Sequence, residues 1–326
     1  MAGLLFITST RIGDAVLSTG LLDRFMEMLP AAPVTVACGP AAAPLFLGLP
    51  RLERVHAMAK RPRGGHWLEL WRAATGRRWD AIVDLRGSAI SWFLVARRRF
   101  VRRRWRTDDD RHRVVELGAA FGFQPPPAPR LWLGAADRAR AAALLPESLP
   151  PDGRPVLAIG PTANWAGKEW RGDRFAELAR RLVAAGGPLA GAAVAVLAAE
   201  AERPRAQPVL DALPADARLD LVGLSLPEAA ACLERAALFV GNDTGLMHVA
   251  AAVGAPTLGL FGPSDERHYA PWGERAAFVR TPESHAELTG GPGFDHRTTG
   301  TLMDGLTVAA AEDGARRLLA RIGRAA

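Results

Sequence analysis

The chain has 326 residues, of which 49% are hydrophobic, and at roughly 150 residues per domain this length predicts two globular domains. Its two cysteines, Cys38 and Cys232, lie far apart without a Cys-x-x-Cys pair or a histidine cluster. This spacing argues against a disulfide framework and a zinc site, and it predicts two reduced, packed thiols. The formal net charge is +7.

One arginine-rich segment accounts for the whole net charge. It begins at Arg97 and ends at Arg106, and it contains seven arginines and no acid. Such a cluster indicates a surface that attracts anions, and three readings stay open: an anionic membrane face, a phosphorylated glycolipid, or a merely solvated face. Nucleic acid is disfavoured because no nucleic-acid-binding motif accompanies the charge.

Short apolar runs alternate with longer amphipathic runs, which is typical of doubly wound parallel sheets. In chain order, the first half predicts strands at 4–8, 34–38 and 81–85, and helices at 15–29, 66–76 and 88–97. The first 16 residues lack the basic start, long apolar run and cleavage site of a signal peptide, and no later segment holds 18 uninterrupted apolar residues. We therefore expect a cytoplasmic protein.

Two proline clusters, at 124–129 and 146–155, mark the connection between the domains. We predict the boundary near residue 152, with domains at 1–152 and 153–305 and a final helix in 306–326 that packs back on the first domain. The second half predicts strands at 156–160, 193–198, 219–222, 238–241 and 257–261, and helices at 175–185, 227–235 and 245–253. Because ligands of open parallel sheets bind beyond the carboxyl ends of the strands, the loops after the strands are the candidate sites.

A polar turn, Asn242-Asp243-Thr244-Gly245, separates a predicted strand from a predicted helix. The free backbone N–H groups and dipole of such a helix start suit a diphosphate, and Gly245 lets a ligand approach the backbone closely. His248 follows Thr244 by one helical turn. Alternatively, Asp243 or Thr244 caps the helix and His248 is a packed core residue.

The segment 243–264 contains Asp-Thr-Gly-x-x-His, an alanine-rich helix, Gly-x-Pro-Thr and Phe-Gly-Pro-Ser. This succession resembles the family of ADP-heptose:lipopolysaccharide heptosyltransferases, glycosyltransferase family 9. Gly13-Asp14 after the first strand and Lys168-x-Trp170 in the second half match two further motifs of that family.

The resemblance implies the GT-B fold, an α/β architecture of two Rossmann-like doubly wound parallel-sheet domains that face a central cleft. The second domain would bind the sugar nucleotide, and the first would bind the acceptor. By the same resemblance, Asp14 is the catalytic base, unless it only caps the first helix, and Arg11 and Gly13 belong to the acceptor side.

The resemblance also assigns the donor site. Lys168 would contact the diphosphate and take part in catalysis, unless it is a surface lysine, and Thr162 would add donors beside it. Asp243, Thr244, Gly245 and His248 complete the set. Glu202 matches a glutamate that contacts the ribose, although Glu200 competes for that role.

Two departures from the family pattern concern nucleotide and acceptor preference. Ile159-Gly160-Pro161 lacks a histidine that is frequent there, and Ser264-Asp265-Glu266 replaces Thr-Asp-Pro. Other enzyme classes are disfavoured, because the chain has no Gly-x-Gly-x-x-Gly after its first strand, no P-loop and no Gly-x-Ser-x-Gly elbow.

The sequence thus predicts an inverting, metal-independent transferase that moves a heptose from ADP-heptose, used as co-substrate and not as a cofactor, to a lipopolysaccharide core or related glycolipid. The expected location is the cytoplasm, peripherally at the inner face of the inner membrane. A sugar-nucleotide epimerase and a non-catalytic glycolipid-binding protein are the alternatives.

Overall fold

The structure, a computed structural model, describes residues 3–102, 110–145, 154–291, 294–296 and 298–323. The chain divides into two units, Met1–Gly134 and Ala135–Ala326. Within the described residues, each unit is built on one parallel sheet. None of the helices in these ranges is long and apolar enough to cross a membrane.

The sheet of the first unit has the strand order β3-β2-β1-β4-β5 in the described part of the chain. Its strands are β1 Leu4–Ile7, β2 Val34–Cys38, β3 Leu52–Ala57, β4 Trp79–Asp84 and β5 Ala96–Val101, and its helices are α1 Ile12–Leu17, α2 Thr19–Met28, α3 Gly65–Ala74 and α4 Arg113–Ala120. Every residue of β1 and β2 is buried, as expected for strands covered on both faces.

Two helix predictions in the first unit need correction. The predicted helix at 15–29 is two helices that meet at Ser18, whose hydroxyl donates to Ala15 O at 2.7 Å. The predicted helix at 88–97 is wrong: a 3₁₀ turn, Ala89–Trp92, leads into β5. Ile90 and Leu94 are both buried at the four-residue spacing of a helix, which explains the misleading pattern.

The sheet of the second unit has the described strand order β11-β10-β9-β6-β7-β8. Its strands are β6 Val156–Gly160, β7 Ala193–Val196, β8 Arg218–Asp220, β9 Leu238–Asn242, β10 Thr257–Phe261 and β11 Ala276–Arg280. Its helices are α5 Ala135–Leu144, α6 Gly172–Val183, α7 Arg203–Asp211, α8 Leu226–Glu234, α9 Gly245–Ala252, α10 Glu266–Tyr269, α11 His285–Thr289 and α12 Val308–Gly323. The predicted strands and helices of this half are confirmed within a few residues at their ends, and β11, α5, α7, α10 and α11 are additions.

The division between the units lies at Gly134, and not near residue 152. Helix α5 belongs to the second unit because it packs against α8, where Arg138 Nε donates to Glu234 Oε2 at 2.8 Å. The final helix, α12, was expected on the first domain, but it packs against α6, β10 and β11, and Ala311, Ala315 and Leu318 are buried in the second unit's core.

Candidate active site

The loops that follow β6, β7, β9 and β10 lie along one edge of the second sheet. These strands are neighbours in the sheet and run parallel, so their carboxyl ends meet at that edge. The sequence-predicted donor residues all follow one of these strands. The predicted donor residues therefore lie along the carboxyl edge of the second sheet, which is where the sequence analysis places the candidate sites.

An ion pair joins the loop after β6 to the loop after β9. Lys168 Nζ donates to Asp243 Oδ2 at 2.5 Å, and the two side chains are 24% and 7% exposed. Lys168 is therefore not a surface lysine. An ammonium has three N–H donors, so after binding Asp243 it keeps two that can reach phosphate oxygens.

Asn242 and Trp170, which the sequence reasoning did not assign, fix the loop that carries Lys168. The fully buried Asn242 side chain accepts from Trp170 N at 3.1 Å and donates to Pro161 O at 2.8 Å. The indole N–H of Trp170 donates to Leu306 O at 2.9 Å. These bonds hold both ends of the loop against β9, which limits the positions open to the Lys168 ammonium.

The start of α9 presents backbone N–H groups beside this pair. Thr244 is the N-cap residue, and its side chain makes no capping hydrogen bond. Asp243 does not cap the helix either, because its described partners are Lys168 and His248. The first N–H groups of an α-helix have no acceptor within the helix, so this start can receive an anion, as the sequence predicted.

His248 lies behind the Asp243 carboxylate. Its ring is 4% exposed, and Nε2 lies 3.9 Å from Asp243 Oδ1. His248 is therefore a packed core residue, as the alternative interpretation predicted. It also lies next to the carboxylate that holds Lys168. At the other end of α9, Gly254 has φ +85°, a left-handed conformation that favours glycine before β10.

A second network lies on the other side of the β6 loop. Thr162 Oγ1 donates to Glu202 Oε2 at 2.7 Å, and Arg205 Nη2 donates to Glu202 Oε1 at 3.0 Å. Glu200 lies outside this network, because it pairs with Arg203 at 2.9 Å. The geometry therefore favours Glu202 over Glu200 as the residue that faces the donor loop.

Glu169 anchors the same network and was not singled out from the sequence. Its carboxylate accepts from Ala163 N at 2.8 Å and from Arg205. Burial raises the pKa of Glu169 above its ordinary value, and the bonds from Ala163 and Arg205 offset this only in part. The residue joins the Thr162 loop to α7.

A segment near the end of the chain also packs on the Lys168 loop. The ring of Trp165 lies edge-on to Phe294 and His296, with centroids 6.1 and 6.4 Å apart. Leu302 N donates to Gly167 O at 3.0 Å. Sequence reasoning missed this contact because the segment 290–301 is rich in glycine and threonine and has no apolar period.

In the first unit, Asp14 stands in the first turn of α1, at the carboxyl end of β1. The N-cap residue is Arg11, so Asp14 is not the helix cap. Its half-buried carboxylate accepts a hydrogen bond from Ser9 Oγ at 3.4 Å. Arg11 is exposed and Gly13 is half-buried on the same turn, so the structure brings the three residues assigned to the acceptor side together.

Asp84, to which the sequence analysis assigned no role, stabilises the loop that follows β4, next to the loop of Asp14. It ends β4, opposite Ile7 of β1, and it is fully buried. Its carboxylate accepts from Arg86 N and Ser88 N, both at 2.9 Å. This carboxylate is satisfied by its own loop and shapes the edge at which Asp14 stands.

Over its described residues, 97–102, the arginine cluster does not form one continuous charged face. Arg97 and Arg98 are exposed on β5, whereas Arg102 is 8% exposed and pairs with Glu116. Arg102 therefore does not belong to an exposed charged face, because it is buried and pairs with Glu116, which also binds Arg113. Arg103, Arg104 and Arg106 lie outside the described residues.

At the departure from the family pattern after β10, Asp265 caps α10. Its carboxylate accepts from Arg267 N at 3.1 Å, and Glu266 is the first residue of that helix. Proline is common at a first helical position, so a glutamate there preserves the helix start. The helix therefore starts here without a proline.

The profile of the family described as glycosyltransferase family 9 (heptosyltransferase) matches residues 67–290, more than half of the chain. The chain belongs to this family. A lipooligosaccharide heptosyltransferase 2 of Haemophilus influenzae is 26% identical over 321 residues, which cover 86% of this chain and 89% of the relative.

Solved structures show the same fold. The structure named E. coli ADP-heptose lps heptosyltransferase II superposes with a TM-score of 0.74 at 20% identity, over 98% of this chain and 99% of that one. The E. coli heptosyltransferase WaaC with ADP gives 0.69 at 18% identity, over 97% and 99%. The predicted GT-B fold class and the predicted family are therefore confirmed.

Proposed function

We propose that the protein transfers a heptose from ADP-heptose to the core of a lipopolysaccharide or a related glycolipid, with inversion at the anomeric carbon. Membership of family 9 and the names of the similar proteins, which include ADP-heptose and lipooligosaccharide, support the substrate classes. The observation that carries the proposal is the Lys168–Asp243 pair beside the start of α9.

The second unit binds the donor. The diphosphate accepts hydrogen bonds from the backbone at Thr244 and Gly245 and from the two remaining donors of Lys168. Asp243 orients the ammonium, and His248 supports Asp243 from behind. Glu202, held by Thr162 and Arg205, accepts a hydrogen bond from a ribose hydroxyl.

The first unit binds the acceptor through the loop that carries Arg11 and Gly13 and supplies the base. Asp14 accepts the proton of an acceptor hydroxyl as its oxygen forms a bond to the anomeric carbon. The bond from that carbon to the diphosphate breaks, and ADP leaves with the electron pair. Attack from the face opposite the leaving group inverts the configuration.

The departing diphosphate gains charge in this step, which must be neutralised. Lys168 and the positive end of the α9 dipole lie at the place where that charge develops, so neither a metal ion nor another cofactor is required in this proposal. The acceptor is anchored in lipid, and the enzyme works in the cytoplasm as a peripheral protein at the inner face of the inner membrane.

The proposal is tested by a thermal-shift panel of sugar nucleotides and nucleoside diphosphates, followed by an assay for released nucleoside diphosphate with and without acceptor. ADP-heptose at 100 times its dissociation constant should raise the free energy of unfolding by about 2.7 kcal/mol. Release that depends on the acceptor supports transfer. Conversion of the donor without acceptor indicates an epimerase, and donor binding without either reaction indicates a protein without catalysis. The family match favours the first outcome.

A further inference from the structure

The three most exposed large hydrophobic side chains among the described residues lie next to one another in the first unit. Trp92, Phe93 and Val95 are 66%, 72% and 64% exposed. We call residues 92–95 the aromatic knuckle. Soluble proteins seldom leave such a contiguous apolar surface in water, and where they do, it marks a contact with a protein or a membrane.

The aromatic knuckle is held in this exposed position by its own backbone contacts. Ile90 and Leu94 are buried in the core beneath α3, at 7% and 2% exposure, so the residues between and after them point outwards. Arg99 Nε donates to Ser91 O at 3.0 Å, and Arg99 Nη2 donates to Leu94 O. The guanidinium thus fixes both sides of the turn, and the exposure does not come from a loose loop.

The surroundings of the knuckle are basic. Among the described residues, the segment from Leu85 to Arg102 contains five arginines and no acid. Arg97 and Arg98 follow the knuckle after Ala96 and are exposed on β5, an edge strand in the described order. Arg97 has a contact with Asp80, at 3.8 Å, and its side chain is still 68% exposed.

We infer that the aromatic knuckle, with Arg97 and Arg98, docks on a phospholipid bilayer that carries anionic headgroups. Tryptophan and phenylalanine gain most at the boundary between headgroups and acyl chains, and guanidinium groups pair with lipid phosphates. The excess of arginines over acids, with Asp80 as an acid in contact with Arg97, favours an anionic lipid surface over a protein surface of mixed charge. This inference deepens the proposed function, since a lipid-anchored acceptor is met at such a surface.

The position of the knuckle separates docking from chemistry. Val95 pairs with Trp79 at the amino end of β4, whereas Asp14 follows the carboxyl end of β1. The six residues of β4 span about 20 Å at 3.3 Å per residue. Substitutions in the knuckle therefore leave the loop of the proposed base unchanged.

The test measures binding of the full chain to phosphatidylcholine vesicles with and without phosphatidylglycerol, by co-sedimentation. Trp92→Ser with Phe93→Ser should weaken binding to the anionic vesicles at least about 10-fold. Arg97→Gln with Arg98→Gln should remove the preference for phosphatidylglycerol and the dependence on salt. The matched control is Leu47→Ser, which removes another side chain of similar exposure, 63%, from the first unit and should stay within about twofold.

Turnover with a water-soluble acceptor lacking its acyl chains distinguishes the two proposals. Knuckle variants that retain this turnover but lose vesicle binding support the inference. If the wild type shows no turnover with any acceptor yet binds anionic vesicles through the knuckle, the proposed function fails and the docking surface stands. The inference is overturned if the Trp92–Phe93 variant binds vesicles like the wild type. It is also overturned if sedimentation shows that the knuckle joins two copies of the chain while vesicle binding is absent.

Discussion

Lys168 Nζ lies 2.5 Å from Asp243 Oδ2, so the cation expected to meet the diphosphate is already paired with a buried carboxylate. A carboxylate has no hydrogen to donate to a phosphate oxygen, so Asp243 is not itself a phosphate ligand. Its effect is to hold the ammonium in place before the donor arrives. Loss of Lys168 should therefore have different consequences from loss of Asp243.

Lys168→Met keeps most of the aliphatic chain and removes the charge. We expect the dissociation constant for ADP-heptose to rise about 10- to 100-fold, because a charge-assisted hydrogen bond is worth about 1.5 to 3 kcal/mol. The melting temperature should also fall, since Asp243 is left buried without its cation. Calorimetric titration and thermal unfolding measure the two effects. Lys168→Arg keeps the charge and serves as control, and an unchanged donor affinity in Lys168→Met would exclude Lys168 from the diphosphate site.

Asp14→Asn tests the proposed base. A positioned general base contributes about 10² to 10⁴ in rate, so turnover should fall by at least about 10² while donor affinity changes only a few-fold. Asp137→Asn is the matched control, because Asp137 also stands in the first turn of a helix and shares the favourable dipole interaction. Near-normal turnover of folded Asp14→Asn would move the base elsewhere in the first unit.

Glu202→Gln and Glu200→Gln form a natural pair. Glu202 lies in the network with Thr162, and Glu200 pairs with Arg203, so only the first change should weaken ADP binding, by about 10-fold. Binding of 2′-deoxy- and 3′-deoxy-ADP shows whether a ribose hydroxyl is the partner. If the loss in Glu202→Gln is the same for ADP and both analogues, the contact to the ribose is refuted.

Under the proposed function, turnover should persist in excess EDTA, because Lys168 and the start of α9 would stabilise the leaving diphosphate. The sequence does contain an acidic run at 108–110, which spells Asp-x-Asp, and only Asp110 of it lies among the described residues. The control is the Asp110→Asn variant treated with EDTA, which tests whether this acidic run contributes to turnover. Activity that disappears with EDTA and returns with magnesium or manganese would contradict metal independence.

Both thiols should resist modification in the folded protein. Burial raises the pKa of Cys38 from 9.0 to about 12 and that of Cys232 to about 11, so neither forms a thiolate near neutral pH. Because the unfolded chain loses these protons at lower pH, the free energy of unfolding should fall as pH rises from 9 towards 12. Ellman's reagent measures the thiols with and without guanidinium. Rapid labelling of the native protein at pH 8 would show that a thiol is accessible.

Much of the fold could be predicted because buried parallel strands are continuous apolar runs. β2, β6 and β10 match the predicted ranges at both ends. β3 and β11 were missed, and both are edge strands without a buried residue. β3 has no apolar run, whereas the short apolar run at 276–279 in β11 was not recognised as a strand. The expectation of two packed thiols is confirmed, since both cysteines are free and buried.

For the candidate site, the sequence predicted residues carried by compact motifs and did not assign residues held by distant contacts. Lys168, Asp243 and His248 lie together, as expected. Asn242 and Phe294 could not be assigned, because their importance depends on contacts with residues 72 and 129 positions away, at Trp170 and Trp165. Sequence spacing does not reveal such pairs.

The assignment of α5 to the second unit has a consequence for recombination between family members. A chimera joined at Gly134 keeps α5 with α8 and preserves the Arg138–Glu234 pair. A chimera joined at residue 152 would inherit these two helices from different parents and would expose the buried Ala141 to a foreign surface. Under the proposed function, the residues from 135 onward are thus the unit to exchange when the sugar-donor specificity is to be changed. The exchanged segment must include α5.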